Sequence, residues 1–157
     1  MKAAVLTVSD GVAAGAREDL SGDLLADRLA GAGFDIAERR TVPDEADDIE
    51  DALRELAAAA ELVLTTGGTG FAPRDVTPEA TARVVERATP GLDEHMRAVS
   101  IAASPHGMLS RGRSGIAGSA LIVNFPGSPR ACAELFDAVA PALDHGLRLL
   151  LDLPTAH

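Results

Sequence analysis

Tryptophan and tyrosine are absent from this chain of 157 residues, and phenylalanine occurs only four times. Aliphatic side chains and alanine must therefore fill the core, and a hydrophobic content of 46% supplies enough of them for one domain. Cysteine is nearly absent too. A single Cys132 excludes an intrachain disulfide and fits a reducing compartment. Bases are scarce: 14 Lys and Arg against 24 Asp and Glu give a formal charge of −10. A nucleic-acid binder needs a basic face for phosphate contacts, so that class is disfavoured. A small anion held by a few local donors is not excluded. No apolar run approaches the roughly 20 residues that span a bilayer. The opening MKAAVLTVSDG reaches polar residues too early for a secretory signal and reads as a strand. The expectation is one cytoplasmic domain over residues 1–157, with no membrane or nucleic-acid partner. The histidines at 95, 106, 145 and 157 lack metal-ligand spacing.

What the chain does have is alternation. Ala3–Ser9 is a short apolar run ending in turn chemistry at Ser9, Asp10 and Gly11. Leu20, Leu24, Leu25 and Leu29 follow at helical spacing, with Gly31 and Gly33 as a stop. Phe34–Val42 reads as a second strand, partly exposed because of its charges. Ile49, Leu53 and Leu56 mark a helix whose acidic first turn suits the helix dipole. Leu62–Thr66 is a third strand, and Thr77-Pro78-Glu79 starts a helix predicted to run to about Arg87, with Thr77 as its cap. A helix over Leu92–Ala102, a glycine- and serine-rich excursion over Ser104–Gly118, and a strand over Ala120–Asn124 follow. The rest is helical, carrying Leu135, Phe136, Val139, Leu143 and Leu147 on one side; Pro141 is expected to kink or split it. Strands alternating with helices predict an α/β fold with a mostly parallel central sheet covered on both faces.

In such folds, ligands sit beyond the C-terminal ends of the strands. Four loops are thereby predicted to converge on one rim: Ser9–Gly11, Pro43–Glu45, Gly67–Asp75 and Asn124–Ser128. The third lies within TTGGTGFAPRDVTPEAT at 65–81. Gly67, Gly68 and Gly70 leave backbone N–H groups uncovered, which suits either a phosphate cradle or a plain tight turn. The stretch is neither a Walker A loop nor a GxGxxG fingerprint. Arg74 and Asp75 tip it toward function, because an acid beside a phosphate cradle is useful mainly through a divalent cation such as Mg²⁺. Asp75 otherwise pairs with Arg74 or caps the next helix. Asp44 and Glu45 are either helix-start acids or metal contacts on the same rim. Ser9 and Asp10 either cap or line the pocket, and Asn124 and Ser128 either donate to a ligand or satisfy turn backbone. Arg111 and Arg113 suit phosphate pairing as well as solvated loop positions. Cys132 shares a helix face with Leu135 and Phe136 and reads as a buried hydrophobe.

The motifs VSDG at 8–11, DLSG at 19–22, TTGGTG with RDVTPEAT, PG…MR at 90–97, LSR at 109–111 and NFPGSP at 124–129 resemble, in order and spacing, the MoaB/Mog family of molybdopterin adenylyltransferases. The likeness covers nearly the whole chain, and TTGGTG followed by RDVTPEAT is its most specific part. Leu92 stands where an aromatic is more usual, and Phe125 where Leu is common. The resemblance implies a three-layer α/β/α fold of the molybdopterin-binding type, a homotrimer, and Mg²⁺-dependent adenylylation of molybdopterin by ATP with release of pyrophosphate. It implies Asp44 and Asp75 as catalytic acids and metal ligands. Candidate substrate contacts along the motifs are Ser9, Asp10, Thr66, Gly67, Gly68, Thr69, Gly70, Arg74, Asn124, Pro126, Gly127 and Ser128. A contact with the molybdenum-insertion enzyme is a further implied partner. Non-catalytic molybdopterin binding, or a scaffold role in the same pathway, is the alternative.

Overall fold

The computed structural model describes residues 1–155. In chain order the elements are β1 (Lys2–Val8), α1 (Asp10–Ala13), α2 (Leu20–Gly31), β2 (Asp35–Val42), α3 (Ala46–Ala59), β3 (Leu62–Thr66), α4 (Thr77–Val84), β4 (Arg87–Ala88), α5 (Pro90–Ala103), a 3₁₀ turn (Pro105–Leu109), β5 (Ser114–Ala117), β6 (Ala120–Phe125) and α6 (Pro129–Leu150). One six-stranded sheet runs in the order β2-β1-β3-β6-β5-β4. Its first four strands are parallel, and β5 and β4 complete it as antiparallel neighbours.

The apolar runs at β1, β3 and β6 are unbroken because both faces of each strand are covered. Ala3, Val5, Leu62, Leu64, Leu121, Val123 and Phe125 face the layer containing α2, α5 and α6. Their alternates Ala4, Leu6, Val8, Val63 and Ile122 face the layer containing α3 and α4. This is the expected three-layer α/β/α fold. The charged strand β2 lies at the edge, with alternate residues half-buried.

Several expectations give way. The helix at Thr77 stops at Val84 instead of Arg87. The chain then turns to pair as β4 with β5, beginning with Glu86 N–H donating to Ile116 O at 2.9 Å. Thr77 is not the cap: Val76 holds that position, and the Thr77 hydroxyl donates instead to Gly67 O at 2.9 Å. α5 begins at Pro90, earlier than Leu92. The Ser104–Gly118 excursion is ordered as the 3₁₀ turn and β5, because β6 offers an edge on which β5 forms a hairpin. Pro141 does not split α6. Buried Leu135, Phe136 and Val139 before it, and Leu143 and Leu147 after it, hold both halves to the sheet. No helix among the described residues is long and apolar enough to cross a membrane.

The parallel strands end in register. Val8 pairs with Val42, Thr7 with Thr66, and Thr66 with Phe125. Strand order reverses at β1, since β2 lies on one side and β3 on the other, and the crevice at such a switch point is where α/β folds bind ligands. Leu147 is wholly buried in the larger core. Leu147→Ala is expected to cost about 2–5 kcal/mol, measured by denaturant unfolding, through lost burial and the cavity left behind.

Candidate active site at the strand ends

The turn after β3 is built around two glycines in left-handed conformations, with φ of 97° at Gly67 and 66° at Gly68. A Cβ on Gly67 would lie 2.3 Å from the Val8 carbonyl, and one on Gly68 would lie 2.4 Å from the Thr77 hydroxyl. Only glycine fits either place. The fold itself thus requires these residues before any ligand is considered, and a bulky substitution here would report the turn rather than a cradle.

Arg111, which suited either phosphate pairing or a solvated loop position, clasps this turn. Its Nε donates to Gly70 O at 2.8 Å and its Nη2 to Asp75 O at 2.6 Å, while Nη1 pairs with Glu79. The Arg111 backbone N–H also donates to Thr69 O at 2.9 Å. Asp75 neither pairs with Arg74 nor caps α4. Its Oδ2 accepts from Ala72 N–H at 3.0 Å.

Across the crevice, Asp10 and Asp44 hold each other. Asp10 N–H donates to Asp44 Oδ2 at 2.8 Å, and Asp44 N–H donates to Asp10 Oδ1 at 3.0 Å. Arg74 then grips Asp10 through Nε at 2.6 Å and Nη2 at 3.0 Å, and reaches Glu45 at 2.8 Å. The capping role considered for Asp44 belongs by position to Glu45, whose side chain makes no capping bond. Asp10 and Arg74 tie the β1, β2 and β3 loops together.

Two clefts flank the ridge made by the β3 and β6 turns. The first, about 410 Å³, gathers Ser9, Asp44, Thr66, Gly67, Gly68, Asp75 and Gly127 from the candidates. The second, also about 410 Å³, gathers Thr69, Gly70, Pro126 and Ser128. Asp10 and Arg74 line neither cleft. Asn124 is buried and both hydrogens of its amide are engaged, by Thr65 at 3.0 Å and Thr81 at 2.9 Å. Its expected role as a ligand donor is replaced by joining β6, β3 and α4. The Ser9 and Ser128 hydroxyls cap α1 and α6. The Thr66 hydroxyl and the Cys132 thiol both donate to Pro126 O, at 2.8 and 3.0 Å, which fixes the β6 turn. Burial pushes the Cys132 thiol up to about 11, so it is a packing group rather than a nucleophile. Sequence reasoning missed Arg17, Glu18 and Ser21 on the first cleft, and Ser100, Ser104, His106 and Arg130 on the second. Only the DLSG motif hinted that the α1–α2 connection belongs to the site.

Burial holds the Asp44 carboxyl above the usual carboxylate range, and the negative charges of Asp10 and Asp75 add to the effect against the Asp10 N–H bond and Arg74. Asp10 is held below that range, chiefly by its bonds to Arg74 and then by the Asp44 N–H. Among the described residues no three His, Cys, Asp or Glu side chains cluster as a metal cage. Asp44 and Asp75 each have one oxygen engaged by a backbone N–H and one left over. That is a donor set for a cation bound by one or two carboxylates and completed by phosphates and water, as Mg²⁺ is.

A mostly parallel α/β sheet whose strand order reverses at β1 belongs to the class of folds that bind ligands in the crevice at this rim. Residues 4–145 match the family model described as "Probable molybdopterin binding domain", and the chain belongs to that family. The chain is 40% identical to the molybdopterin adenylyltransferase of Helicobacter pylori over 151 residues, covering 94% of this chain and 86% of that protein. It is 43% identical to the molybdenum cofactor synthesis protein cinnamon of Drosophila melanogaster, of which it spans only 25%. Among solved structures, the molybdopterin biosynthesis enzyme MoaB of Thermus thermophilus superposes with a TM-score of 0.91 at 44% identity, covering 98% of each chain.

A carboxyl whose pKa is raised on folding contributes stability below its unfolded pKa and loses it as pH rises through the folded value. Asp44→Asn keeps an acceptor for Asp10 N–H while removing the charge. It is expected to raise the melting temperature at pH 7, with the gain shrinking as pH falls through the carboxylate range, as followed by thermal melts across pH.

Proposed function

We propose that this protein transfers AMP from ATP to the terminal phosphate of molybdopterin, giving adenylyl-molybdopterin and pyrophosphate, with Mg²⁺. The observation that carries this reading is the delivery of Asp44 and Asp75 to one cleft beside the glycine turn. The names of the 40%-identical bacterial relatives, molybdopterin adenylyltransferases, support it.

A terminal phosphate oxygen of molybdopterin attacks the α-phosphorus of ATP, and the bond from that phosphorus to the bridging oxygen of pyrophosphate breaks. Such a transfer asks the protein mainly for positioning and charge neutralisation. Asp44 and Asp75 would hold Mg²⁺, which supplies positive charge against the crowded phosphates. The turn at Gly67 and Gly68 brings bare backbone to the edge of the cleft. The two clefts flanking the ridge suit two organic groups, one on each side, whose phosphates meet over it. The reaction belongs in the cytoplasm, with the molybdenum-insertion enzyme as the consumer of the adenylylated product. The homotrimer is part of this proposal as the assembly that the family resemblance implies.

Asp75→Asn is expected to lower pyrophosphate release from molybdopterin, ATP and Mg²⁺ on the order of 100-fold or more, with the melting temperature near wild type. Combined with Asp44→Ala, its effect should not add, since each change removes part of one unit. Wild-type turnover in folded Asp75→Asn overturns the catalytic assignment. A wild-type protein that binds molybdopterin without releasing pyrophosphate assigns it the binding role instead.

A further inference from the structure

Most arginines here are matched to acids: Arg28, Arg39, Arg40, Arg54, Arg74, Arg83, Arg111, Arg130 and Arg148 all form ion pairs. Arg17 is different. Its backbone N–H donates to Gly11 O at 3.1 Å, but no side-chain hydrogen bond or ion pair involves it among the described residues. It also lines the acid-bearing cleft, together with Glu18, Asp44 and Asp75. Its side chain lies against the backbone of Gly11, where an added Cβ would come within 3.1 Å of Nε. The absence of a side chain at Gly11 therefore leaves room for the guanidinium stem beside α1. A cation that shares a cleft with three acids and bonds to none of them has its fork of donors available to an incoming anion.

We infer that Arg17 is a substrate-binding residue whose guanidinium binds a phosphate oxyanion in the cleft of Asp44 and Asp75. The inference rests on the proposed nucleotidyl transfer for the identity of the anion, but not for its geometry. Arg17 lies on the α1–α2 connection, whereas Asp44 and Asp75 follow β2 and β3. A phosphate chain in the cleft is thereby met from two sides, by a guanidinium and by a cation held on carboxylates. In a chain of formal charge −10, one unpaired guanidinium at the cleft offsets repulsion that would otherwise act on every incoming phosphate.

The test is calorimetric titration of inorganic pyrophosphate and of inorganic phosphate, each with Mg²⁺ at low salt, into the wild type, Arg17→Gln and Arg17→Lys. The control is Arg87→Gln. Arg87 also lacks a side-chain partner among the described residues but sits on β4, at the opposite edge of the sheet. Arg17→Gln is expected to weaken binding about tenfold, Arg17→Lys less, and Arg87→Gln not at all, with unchanged melting temperatures. A loss confined to pyrophosphate assigns Arg17 to the polyphosphate of the nucleotide; a loss for both anions assigns it to any phosphate group, the pterin's included. Equal affinities in wild type and Arg17→Gln overturn the inference and make Arg17 a solvated surface charge, as does a wild type that binds neither anion. Because no turnover is read, failure of the adenylyl-transfer reading, seen in the Asp75→Asn assay, remains separate from failure of this one.

Discussion

The contact between Gly67 and the Val8 carbonyl sets the geometry of everything at the strand ends. With no Cβ in the way, the backbone leaving β3 runs directly over the end of β1. From that position the Gly67 N–H reaches Phe125 O at 3.1 Å, and its own carbonyl accepts the Thr77 hydroxyl. One residue thus joins the ends of β1, β3 and β6 to the first turn of α4. The close approach also brings the β3 turn near enough to the β2 turn for a Gly68 Cβ to lie 3.3 Å from Asp44 Oδ1. Placing Asp44 and Asp75 in one cleft is a consequence of this packing, and a side chain at position 67 would separate them by lifting the turn off the sheet.

Around that point the loops are fastened by charges that are themselves outside the clefts. Arg74 bridges the β3 loop to Asp10 after β1 and to Glu45 after β2. Arg111 fastens the β3 loop from the other side, through two main-chain carbonyls and Glu79. These arginines belong to motifs that looked like ligand contacts, and the structure uses them to hold the backbone of the strand-end loops in place. Bidentate geometry and charge assistance make guanidinium groups suited to either task.

Much of the fold was legible, because strands buried on both faces leave unbroken apolar runs at Ala3–Val8, Leu62–Thr66 and Ala120–Phe125. The rim followed from topology, since parallel strands deliver their C-terminal loops to one edge. What stayed hidden depends on partners distant in sequence. The two-residue strand β4 exists only because β5 is there to pair with it, and nothing local at Arg87 and Ala88 announces that. Thr77 carries the local signature of a cap, yet Gly67 lies close enough to claim its hydroxyl. Asn124, read as both the last strand residue and the first of the rim loop, was open to a ligand-donor role, whereas β6 runs on to Phe125 and buries the amide between Thr65 and Thr81. Arg17 carried no signal, because an unpaired cation is recognised only once the acids around it have been located.

The distribution of charge separates what the fold needs from what the cleft needs. Outside the cleft several acids of α3 and α6 find arginine partners, as Glu50 does with Arg54 and Asp144 with Arg148. Inside it, Asp44 and Asp75 form no ion pair among the described residues, and Arg17 stands near them unpaired. Folding alone would favour closing Arg17 onto an acid or neutralising Asp44, whose charged form burial and two neighbouring carboxylates already disfavour. The cleft instead carries two carboxylates and one guanidinium that form no ion pair among the described residues, a charge pattern that the proposed metal ion and phosphate chain would complement together. Under the proposed function, that pattern favours a ligand carrying both signs of charge over either ion alone.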